Sequence, residues 1–322
     1  MLTRRAALCG TLALSLAGAG ERARAASDPL ALYVADQGGK RILVIDMERD
    51  EVENALALSS GPAALALSPD GGTLYASLPE TGEVAALDVA TGRLLPSIYV
   101  GGEPFGLAAT QDEILAGDWS GAALHRVRRS DGEPVGRIEV GRAPALLLAD
   151  PARKRLYVVE RDDAMLGVVD LDAMKRVAGV SVGEGPFPIA ASADGALVFV
   201  ASVRGGAVSV IDAASLSRVA EIACGPTPYG LAAARDGAGL LVVNQQAGTL
   251  SFVPTGRLEK TRSTRVGRYP EGVVVAPHLP KAYVMNWFSG DISVVDLQSF
   301  VETKRLKTGG GPRAGLCARA PA

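Results

Sequence analysis

A regular internal repeat runs through the chain and constrains its fold more than any other feature. Seven short apolar runs carry the repeat, and the second residue of each run stands at position 33, 75, 115, 157, 199, 241 and 283. The steps between these positions are 42, 40, 42, 42, 42 and 42. A fixed period of this length is typical of architectures in which each unit buries its apolar faces against its neighbours.

Each unit carries the signals for four short strands. A second β-branched run follows the first, as in the Val-Ser-Val-Ile-Asp of residues 208–212, and aspartate closes it at positions 46, 88, 170, 212 and 296. We interpret these aspartates as turn residues whose carboxylates accept hydrogen bonds from backbone N–H groups. Proline opens the next unit at 62, 104, 144, 188, 228, 270 and 312, usually three positions after a glycine.

Four strands in a unit of this length are typical of a propeller blade, so the sequence predicts an all-β fold, a seven-bladed β-propeller. Seven such units account for nearly all of residues 26–322. The repeat begins in a second strand at Leu32 and ends in a first strand that runs from Arg313 to Arg319. We therefore expect the two ends of the ring to complete one blade together, which covers two exposed strand edges.

Residues 1–25 predict an export signal. Arg4 and Arg5 precede an apolar stretch over residues 6–20, which is short for a membrane span, and Ala23-Arg24-Ala25 fits a signal cleavage site. Both the twin-arginine route and the general secretory route fit this segment, and an apolar first helix of a cytoplasmic protein is the alternative. Residues 26–322 are then expected to form a single periplasmic or secreted domain without a membrane span.

Composition argues against several classes of function. The chain has 33 basic and 35 acidic residues, and without residues 1–25 the balance is 29 to 34, a net charge of −5. A nucleic-acid partner is not expected, because its phosphates call for a basic face. The two histidines, His125 and His278, fall in blades three and seven. No catalytic triad, metal centre or cofactor site is therefore predicted.

One end of the predicted disc gathers the candidate binding residues. The linkers into the inner strands and the loops between second and third strands share this end, and many of the aromatic side chains lie there. Aromatic residues at loop tips indicate contact with a partner or ligand if they are exposed, and seam padding between blades if they are buried. Glu271 and Arg313 are expected to form an ion pair or a polar handle at the channel mouth. The candidate face comprises Phe105, Trp119, Tyr229, Tyr269, Glu271, Asn286, Trp287, Phe288 and Arg313.

The repeat resembles the YVTN-type, YncE-like propeller family. The matching elements are the Gly-x-x-Pro linkers, the Pro69-Asp70-Gly71 turn, the Tyr33-Val34-Ala35-Asp36 strand end and the Val-Ser-Val-Ile-Asp strand over 208–212. The resemblance implies the propeller fold over essentially all of residues 26–322. It constrains activity weakly, since similar propellers form subunits of periplasmic amine dehydrogenases, haem domains of nitrite reductases and sugar lactonases.

Three functions remain as hypotheses. The first is an exported non-catalytic module that binds a protein or a small molecule on the candidate face. The second, implied by the resemblance alone, is a non-catalytic subunit of a periplasmic quinoprotein or amine dehydrogenase. The third is a lactonase-like hydrolase, which would need a metal held by carboxylates and amides at the channel mouth, where Glu271 is the acidic residue that starts an inner strand. The sequence does not indicate the oligomeric state.

Overall fold

The chain forms a ring of seven four-stranded antiparallel sheets, which confirms the predicted seven-bladed β-propeller. The computed structural model describes residues 29–234, 237, 239–254 and 262–321, and the predicted export signal lies outside these residues. Within these ranges the strands build the blades, and two 3₁₀ turns cover Pro151–Arg153 and Arg161–Asp163. No helix in the described ranges is long and apolar enough to cross a membrane.

The described part of the chain contains twenty-eight strands, which make up the ring. In chain order they are β1 (Leu30–Asp36), β2 (Arg41–Asp46), β3 (Glu51–Ala57), β4 (Leu65–Leu67), β5 (Thr73–Leu78), β6 (Glu83–Asp88), β7 (Arg93–Tyr99), β8 (Pro104–Ala109), β9 (Glu113–Asp118), β10 (Ala123–Arg128), β11 (Pro134–Glu139), β12 (Pro144–Asp150), β13 (Arg155–Glu160), β14 (Met165–Asp170), β15 (Lys175–Ser181), β16 (Pro186–Ala191), β17 (Leu197–Ser202), β18 (Ala207–Asp212), β19 (Arg218–Ala223), β20 (Pro228–Ala233), β21 (Gly239–Asn244), β22 (Thr249–Pro254), β23 (Arg262–Arg265), β24 (Pro270–Val275), β25 (Lys281–Asn286), β26 (Asp291–Asp296), β27 (Val301–Lys307) and β28 (Pro312–Arg319).

Blade one combines the two ends of the ring in the strand order β28-β1-β2-β3, and blades two to seven take four consecutive strands each, from β4–β7 to β24–β27. The ladder between β28 and β1 runs from Leu30 opposite Arg319 to Asp36 opposite Pro312. The buried hydroxyl of Tyr33 also donates to the backbone oxygen of Arg319 at 3.0 Å. The expected closure of the ring is therefore confirmed.

The second and third strands of each blade are buried because a neighbouring blade covers each of their faces. On β1, Leu32 and Val34 pack with Tyr283 of blade seven. The intervening Tyr33 packs instead with Leu74 of blade two. Successive side chains of a strand point to opposite faces. Because both faces are buried here, apolar residues follow one another without alternation along the strand. The outer strands, such as β3, are mostly exposed.

The repeated aspartates close turns, as predicted. In the first of these turns, the Asp46 carboxylate accepts hydrogen bonds from the backbone N–H groups of Glu48 and Arg49, at 2.7 and 3.0 Å. The hydrogen bond that the Asp170 carboxylate accepts from the backbone of Ala173 holds its pKa below the usual value. These carboxylates therefore shape the ends of the third strands.

The proline that opens blade five is Pro186, and the predicted landmark at Pro188 is wrong. Strand β16 begins at Pro186. The two prolines flank Phe187, and only Pro186 lies one full repeat from both Pro144 and Pro228. This correction moves Phe187 to the position directly after the proline that opens its blade.

We expect deletion of residues 313–322 to abolish cooperative unfolding or soluble expression. The deletion removes β28, leaves β1 as an open strand edge and uncovers the apolar faces that blade one shares with its neighbours. Thermal unfolding followed by circular dichroism measures the effect. Deletion of residues 321–322 alone is the control, because the β28–β1 ladder stays intact. An unchanged melting temperature in the longer deletion would contradict the closure.

Candidate ligand-binding site at the channel mouth

The residues that follow the seven opening prolines form a ring around the mouth of the central channel. Each inner strand starts at this end of the disc, so the repeat brings its second position to the same height in every blade. The inner strands of neighbouring blades lie against one another around the axis. In blade order the mouth ring is Ala63, Phe105, Ala145, Phe187, Tyr229, Glu271 and Arg313.

Arg313 of blade one reaches across the mouth and contacts several other blades. Its Nε lies 3.2 Å from Oε2 of Glu271 in blade seven, which confirms the expected ion pair. Its Nη1 donates to Oε1 of Gln37 at 3.0 Å, and its Nη2 donates to the hydroxyl of Tyr229 at 3.3 Å. The guanidinium carbon also lies 5.1 Å from the centre of the Phe105 ring, within the range of a cation–π contact.

Glu271 is a buried carboxylate with one oxygen that lacks a hydrogen bond. The residue is 9% exposed. Its Oε1 accepts a hydrogen bond from Nε2 of Gln245 at 3.0 Å. Oε2 accepts none from the described residues, because Arg313 lies close enough for an ion pair but off the hydrogen-bond direction. Burial raises the pKa of Glu271, and the charge of Arg313 opposes that rise.

The Glu271 and Arg313 side chains border a small cavity at the mouth. Its volume is about 130 Å³, and Phe187, Tyr229 and Leu146 contribute apolar walls. Phe187 and Tyr229 stack at 4.5 Å between ring centres, and Phe105 joins them at 5.8 Å from Phe187. The mouth therefore combines a buried ion pair with an aromatic wall, an arrangement typical of small-molecule sites.

A second ring of side chains surrounds the first and comes from the position after each second strand. Trp119 stacks on Phe105 at 4.9 Å, and the guanidinium of Arg161 lies 5.5 Å from the Trp119 ring centre. Sequence analysis missed Gln37, Gln245 and Arg161 as residues of the mouth. Their shared register could have revealed them, because this outer ring is again spaced by the repeat: Gln37, Pro79, Trp119, Arg161, Val203, Gln245 and Trp287.

The remaining aromatic candidates form a separate surface, which we call the blade-seven patch: Tyr269, Trp287 and Phe288. These side chains are 48%, 38% and 56% exposed. The Tyr269 and Phe288 rings are 5.6 Å apart, and the Trp287 and Phe288 rings are 6.4 Å apart. Tyr269 has a φ of 48°, a left-handed conformation that a bulky residue rarely adopts. The predicted face thus contains both a mouth and an exposed aromatic patch.

Asn286, also predicted for this face, lies inside its blade and is fully buried. Its Oδ1 accepts a hydrogen bond from the backbone of Gly267 at 3.0 Å, and its Nδ2 donates to Oγ of Ser293 at 2.9 Å. Its amide is therefore used within blade seven and does not reach the exposed patch.

Four other second strands also end in a buried acidic or amide residue, and we call these five positions the clasp residues. Glu160 binds the Gly141 backbone at 2.9 Å and pairs with Arg176 through two hydrogen bonds. A Cβ on Gly141 would lie 2.6 Å from the Glu160 carboxyl carbon, which explains the linker glycine. The clasp residues hold the second strand against the third strand, the linker or both. They are Asp36, Asp118, Glu160, Asn244 and Asn286.

Among the residues that the structure describes, no group of three or more His, Cys, Asp or Glu side chains is placed to share a metal ion. His125 is hydrogen-bonded to the clasp residue Asp118, with Nε2 at 3.0 Å from Oδ2. His278 lies in the turn between β24 and β25, at the end of blade seven away from the mouth.

Comparison with known proteins supports the fold and a group of propeller relatives. The family model of the cytochrome D1 heme domain matches residues 147–252. A search of curated proteins found no match. Among solved structures, Kuenenia stuttgartiensis hydrazine synthase is 17% identical with a TM-score of 0.71, over 87% of this chain and 99% of that one.

Two further solved structures are similar over most of this chain. The periplasmic gluconolactonase PpgL of Pseudomonas aeruginosa is 18% identical with a TM-score of 0.77, over 91% of this chain and 99% of that one. The dihydro-heme d1 dehydrogenase NirN in complex with DHE is 19% identical with a TM-score of 0.66, over 89% of this chain and 66% of that one. At these identities the likeness shows the propeller fold.

We expect Ser202→Asn to stabilise the protein, because blade five has a serine at the position where five other blades have a clasp residue. The hydroxyl groups of Ser202 and Ser209 are buried, and neither forms a hydrogen bond with a described residue. Ser209 stands one full repeat before Ser251, which receives a hydrogen bond from the Asn244 amide at 3.0 Å. The substitution would supply the same bond in blade five, for a gain of about 1 kcal/mol.

The expected rise in melting temperature is roughly 2–4 °C. Differential scanning calorimetry of the wild type and Ser202→Asn measures it. Ser202→Ala is the matched control, since it removes the buried hydroxyl of Ser202 but adds no donor for Ser209. A melting temperature of Ser202→Asn at or below that of the control would show that the asparagine does not form the expected hydrogen bond with Ser209 in blade five.

Proposed function

We propose that this protein is an exported binding module that holds a small molecule at the channel mouth. The observation that carries the proposal is the buried ion pair of Glu271 and Arg313, two residues that line the mouth cavity together with the aromatic side chains Phe187 and Tyr229. A cavity with mainly apolar walls and a few charged groups is typical of a small-molecule site. The mouth ring supplies the rest of the site.

Periplasmic or secreted localisation is part of this proposal. The basic, apolar and A-x-A segments of residues 1–25 support it, and one structurally similar protein, PpgL, is described as periplasmic. The YVTN-type assignment is also part of it and rests on the linker and turn motifs.

A haem does not fit inside the mouth, although the matching family model and the NirN complex both name one. The mouth cavity of about 130 Å³ is far below the roughly 300–1,000 Å³ of sites for larger ligands. Neither His125 nor His278 lies at the mouth to bind iron. The residues present therefore suit a smaller ligand.

A lactonase-like hydrolase is the second candidate, and Glu271 favours it. A carboxyl whose pKa is raised by burial can hold a proton for general acid catalysis. Lactone hydrolysis followed in a pH-stat separates the two functions. A rate above the uncatalysed reaction that is lost in Glu271→Gln would establish a hydrolase and displace pure binding.

A protein partner is the third candidate, and the blade-seven patch favours it. Exposed aromatic side chains that lie together are enriched at protein interfaces. A non-catalytic subunit of a periplasmic dehydrogenase would use such a surface. The patch is separate from the mouth ring, so both functions can be tested on one protein.

We expect small-molecule binding to depend on Glu271 and to be independent of a matched carboxylate on the same face. Equilibrium dialysis against a library of small polar metabolites, with mass spectrometry of the retained compounds, measures binding. Glu271→Gln should lose the retained compound, because the substitution removes the negative charge of the buried carboxylate and keeps the shape of the side chain. The control Glu184→Gln removes an exposed charge from the blade-five linker and should retain it. Equal retention by both variants would place the site elsewhere.

The two tryptophans give opposite expectations for a protein partner. Trp287→Ala should weaken partner capture by about 2 kcal/mol, the usual threshold for an interface hot spot, and leave the fold intact. Trp119→Ala should instead lower the melting temperature, because Trp119 packs against Phe105 and under Arg161. Pull-downs from periplasmic extract and melting curves of both variants measure this. Unchanged capture by Trp287→Ala would remove the docking function.

Export predicts that the native protein begins at Ala26. Cleavage after Ala25 makes Ala26 the first residue, because the small residues Ala23 and Ala25 match the A-x-A pattern of a signal cleavage site. Intact-mass measurement of protein purified from its own host decides the matter. A mass that includes Met1 would contradict both the signal and the compartment.

A further inference from the structure

The seam between blades six and seven contains a second cavity, at the end of the disc away from the mouth. Its volume is about 390 Å³, which falls within the roughly 300–1,000 Å³ of small-molecule sites. Leu279, from the turn between β24 and β25, lines it on the blade-seven side. Leu241, Phe252 and Phe300 add further apolar walls, and Arg262 is the charged residue among the described ones that line it.

The repeat explains why this seam has free space. One position of each second strand packs against a neighbouring blade, and it carries tyrosine in four blades, phenylalanine in one and leucine in two. In blade order these residues are Tyr33, Tyr75, Leu115, Tyr157, Phe199, Leu241 and Tyr283. Blade six therefore lacks an aromatic ring at its seam with blade seven. Apolar space of this kind stays dry and takes up small aromatic molecules.

The tyrosine hydroxyls of other blades identify the group that the absent ring would contact. Tyr283 donates a hydrogen bond to the backbone oxygen of Met47 in blade one at 3.1 Å, and Tyr157 donates to that of Ala213 in blade five at 3.4 Å. Met47 and Ala213 share their place in the repeat with Leu297 of blade seven. The Leu297 oxygen is thus the equivalent acceptor, and blade six has no tyrosine to reach it.

Arg262 of β23 binds this acceptor instead. Its Nη1 donates to the backbone oxygen of Leu297 at 3.4 Å, and its Nη2 donates to that of Gln298 at 2.8 Å. Its guanidinium carbon also lies 4.9 Å from the centre of the Phe300 ring. These contacts fix a planar guanidinium at the cavity, and a fixed guanidinium matches the geometry of a carboxylate.

The charge of Arg262 is available to a ligand. Arg262 uses two of its five N–H groups for the backbone of blade seven and forms no ion pair with a described residue. The carboxylate of the nearby Asp296 accepts instead from the backbone N–H and the hydroxyl of Ser299, at 2.7 and 2.6 Å. An anion at the cavity would therefore gain charge-assisted hydrogen bonds, which are about twice as strong as neutral ones.

We propose that this seam cavity binds a monocyclic aromatic carboxylate. The ring of the ligand takes the space that tyrosine fills in other blades, and its carboxylate accepts hydrogen bonds from Arg262. A water molecule takes about 30 Å³ of liquid, so 390 Å³ has room for about 13 non-hydrogen atoms, enough for a benzoate ion with small ring substituents. The site is separate from the mouth and goes beyond the proposed function.

Fluorine NMR titration of the whole protein tests the proposal. Three probes share one ring and differ in charge: 4-fluorobenzoate, 4-fluorobenzyl alcohol and 4-fluorobenzylamine. We expect 4-fluorobenzoate to bind at least tenfold more tightly than the other two, because the alcohol leaves the guanidinium without an anion and the amine is repelled by it. Acetate at the same concentration should not displace 4-fluorobenzoate, because it carries the charge without the ring.

Three variants locate the site. Leu241→Tyr introduces the residue that four other blades carry, so it should abolish 4-fluorobenzoate binding and keep or raise the melting temperature. Arg262→Gln should weaken 4-fluorobenzoate binding at least tenfold and leave the affinity for 4-fluorobenzyl alcohol unchanged. The matched control is Arg265→Gln, which removes the same charge from an exposed position of the same strand and should leave all three affinities unchanged.

Each contrary result overturns a defined part of the proposal. Equal affinity for the alcohol or the amine would overturn the carboxylate class. Binding of 4-fluorobenzoate that survives Leu241→Tyr would place it outside this seam, and an equal loss in Arg262→Gln and Arg265→Gln would overturn the assignment to Arg262. If Leu241→Tyr does not fold, the two arginine variants decide. No binding of 4-fluorobenzoate to the wild type would overturn the site.

Discussion

The ladder between β28 and β1 is the interaction on which the other features of this molecule depend. A single blade exposes two apolar sheet faces, and only a closed ring gives every face a neighbour. The closing strand also carries Arg313, which meets Glu271 of blade seven and Gln37 of blade one at the mouth. The pairing that completes the core therefore also completes the candidate site. A change that loosens this ladder therefore affects the stability of the fold and the geometry of the candidate site together.

The mouth is where the seven units differ most in chemistry while sharing one backbone. The position after the opening proline carries alanine in two blades, an aromatic residue in three, glutamate in one and arginine in one. The two charged residues stand in neighbouring blades, and Arg313 contacts the aromatic residues Tyr229 and Phe105 across the mouth. The clasp residues differ in the same way, yet their side chains satisfy the blade's own linkers and strands. A change at a clasp position therefore alters a blade, whereas a change in the mouth ring alters the chemistry of the candidate site.

The strands and blades were predictable from the sequence because the same pattern occurs in seven successive units. The period predicted the blades, and the phase of the first and last units predicted the closure. The positions of individual side chains were harder to predict from the sequence. Asn286 and Trp287 are adjacent in sequence, but one is buried in its blade and the other is exposed. The surroundings of the Glu271 carboxylate depend on Gln245 and Arg313, which come from two other blades and whose orientations no single repeat encodes. Pro186 and Pro188 differed only in spacing, which the alignment of the neighbouring units resolves.

The place of Arg313 in the chain has a consequence for the order in which the molecule becomes functional. The residues of the mouth ring from Ala63 to Glu271 are synthesised before β28, and blade one lacks its inner strand until that strand arrives. Before β28 pairs with β1, the chain has no guanidinium to set against the Glu271 carboxylate. The candidate mouth therefore gains its ion pair only when the ring closes, so closure of the ring and completion of the Glu271–Arg313 pair occur in one step.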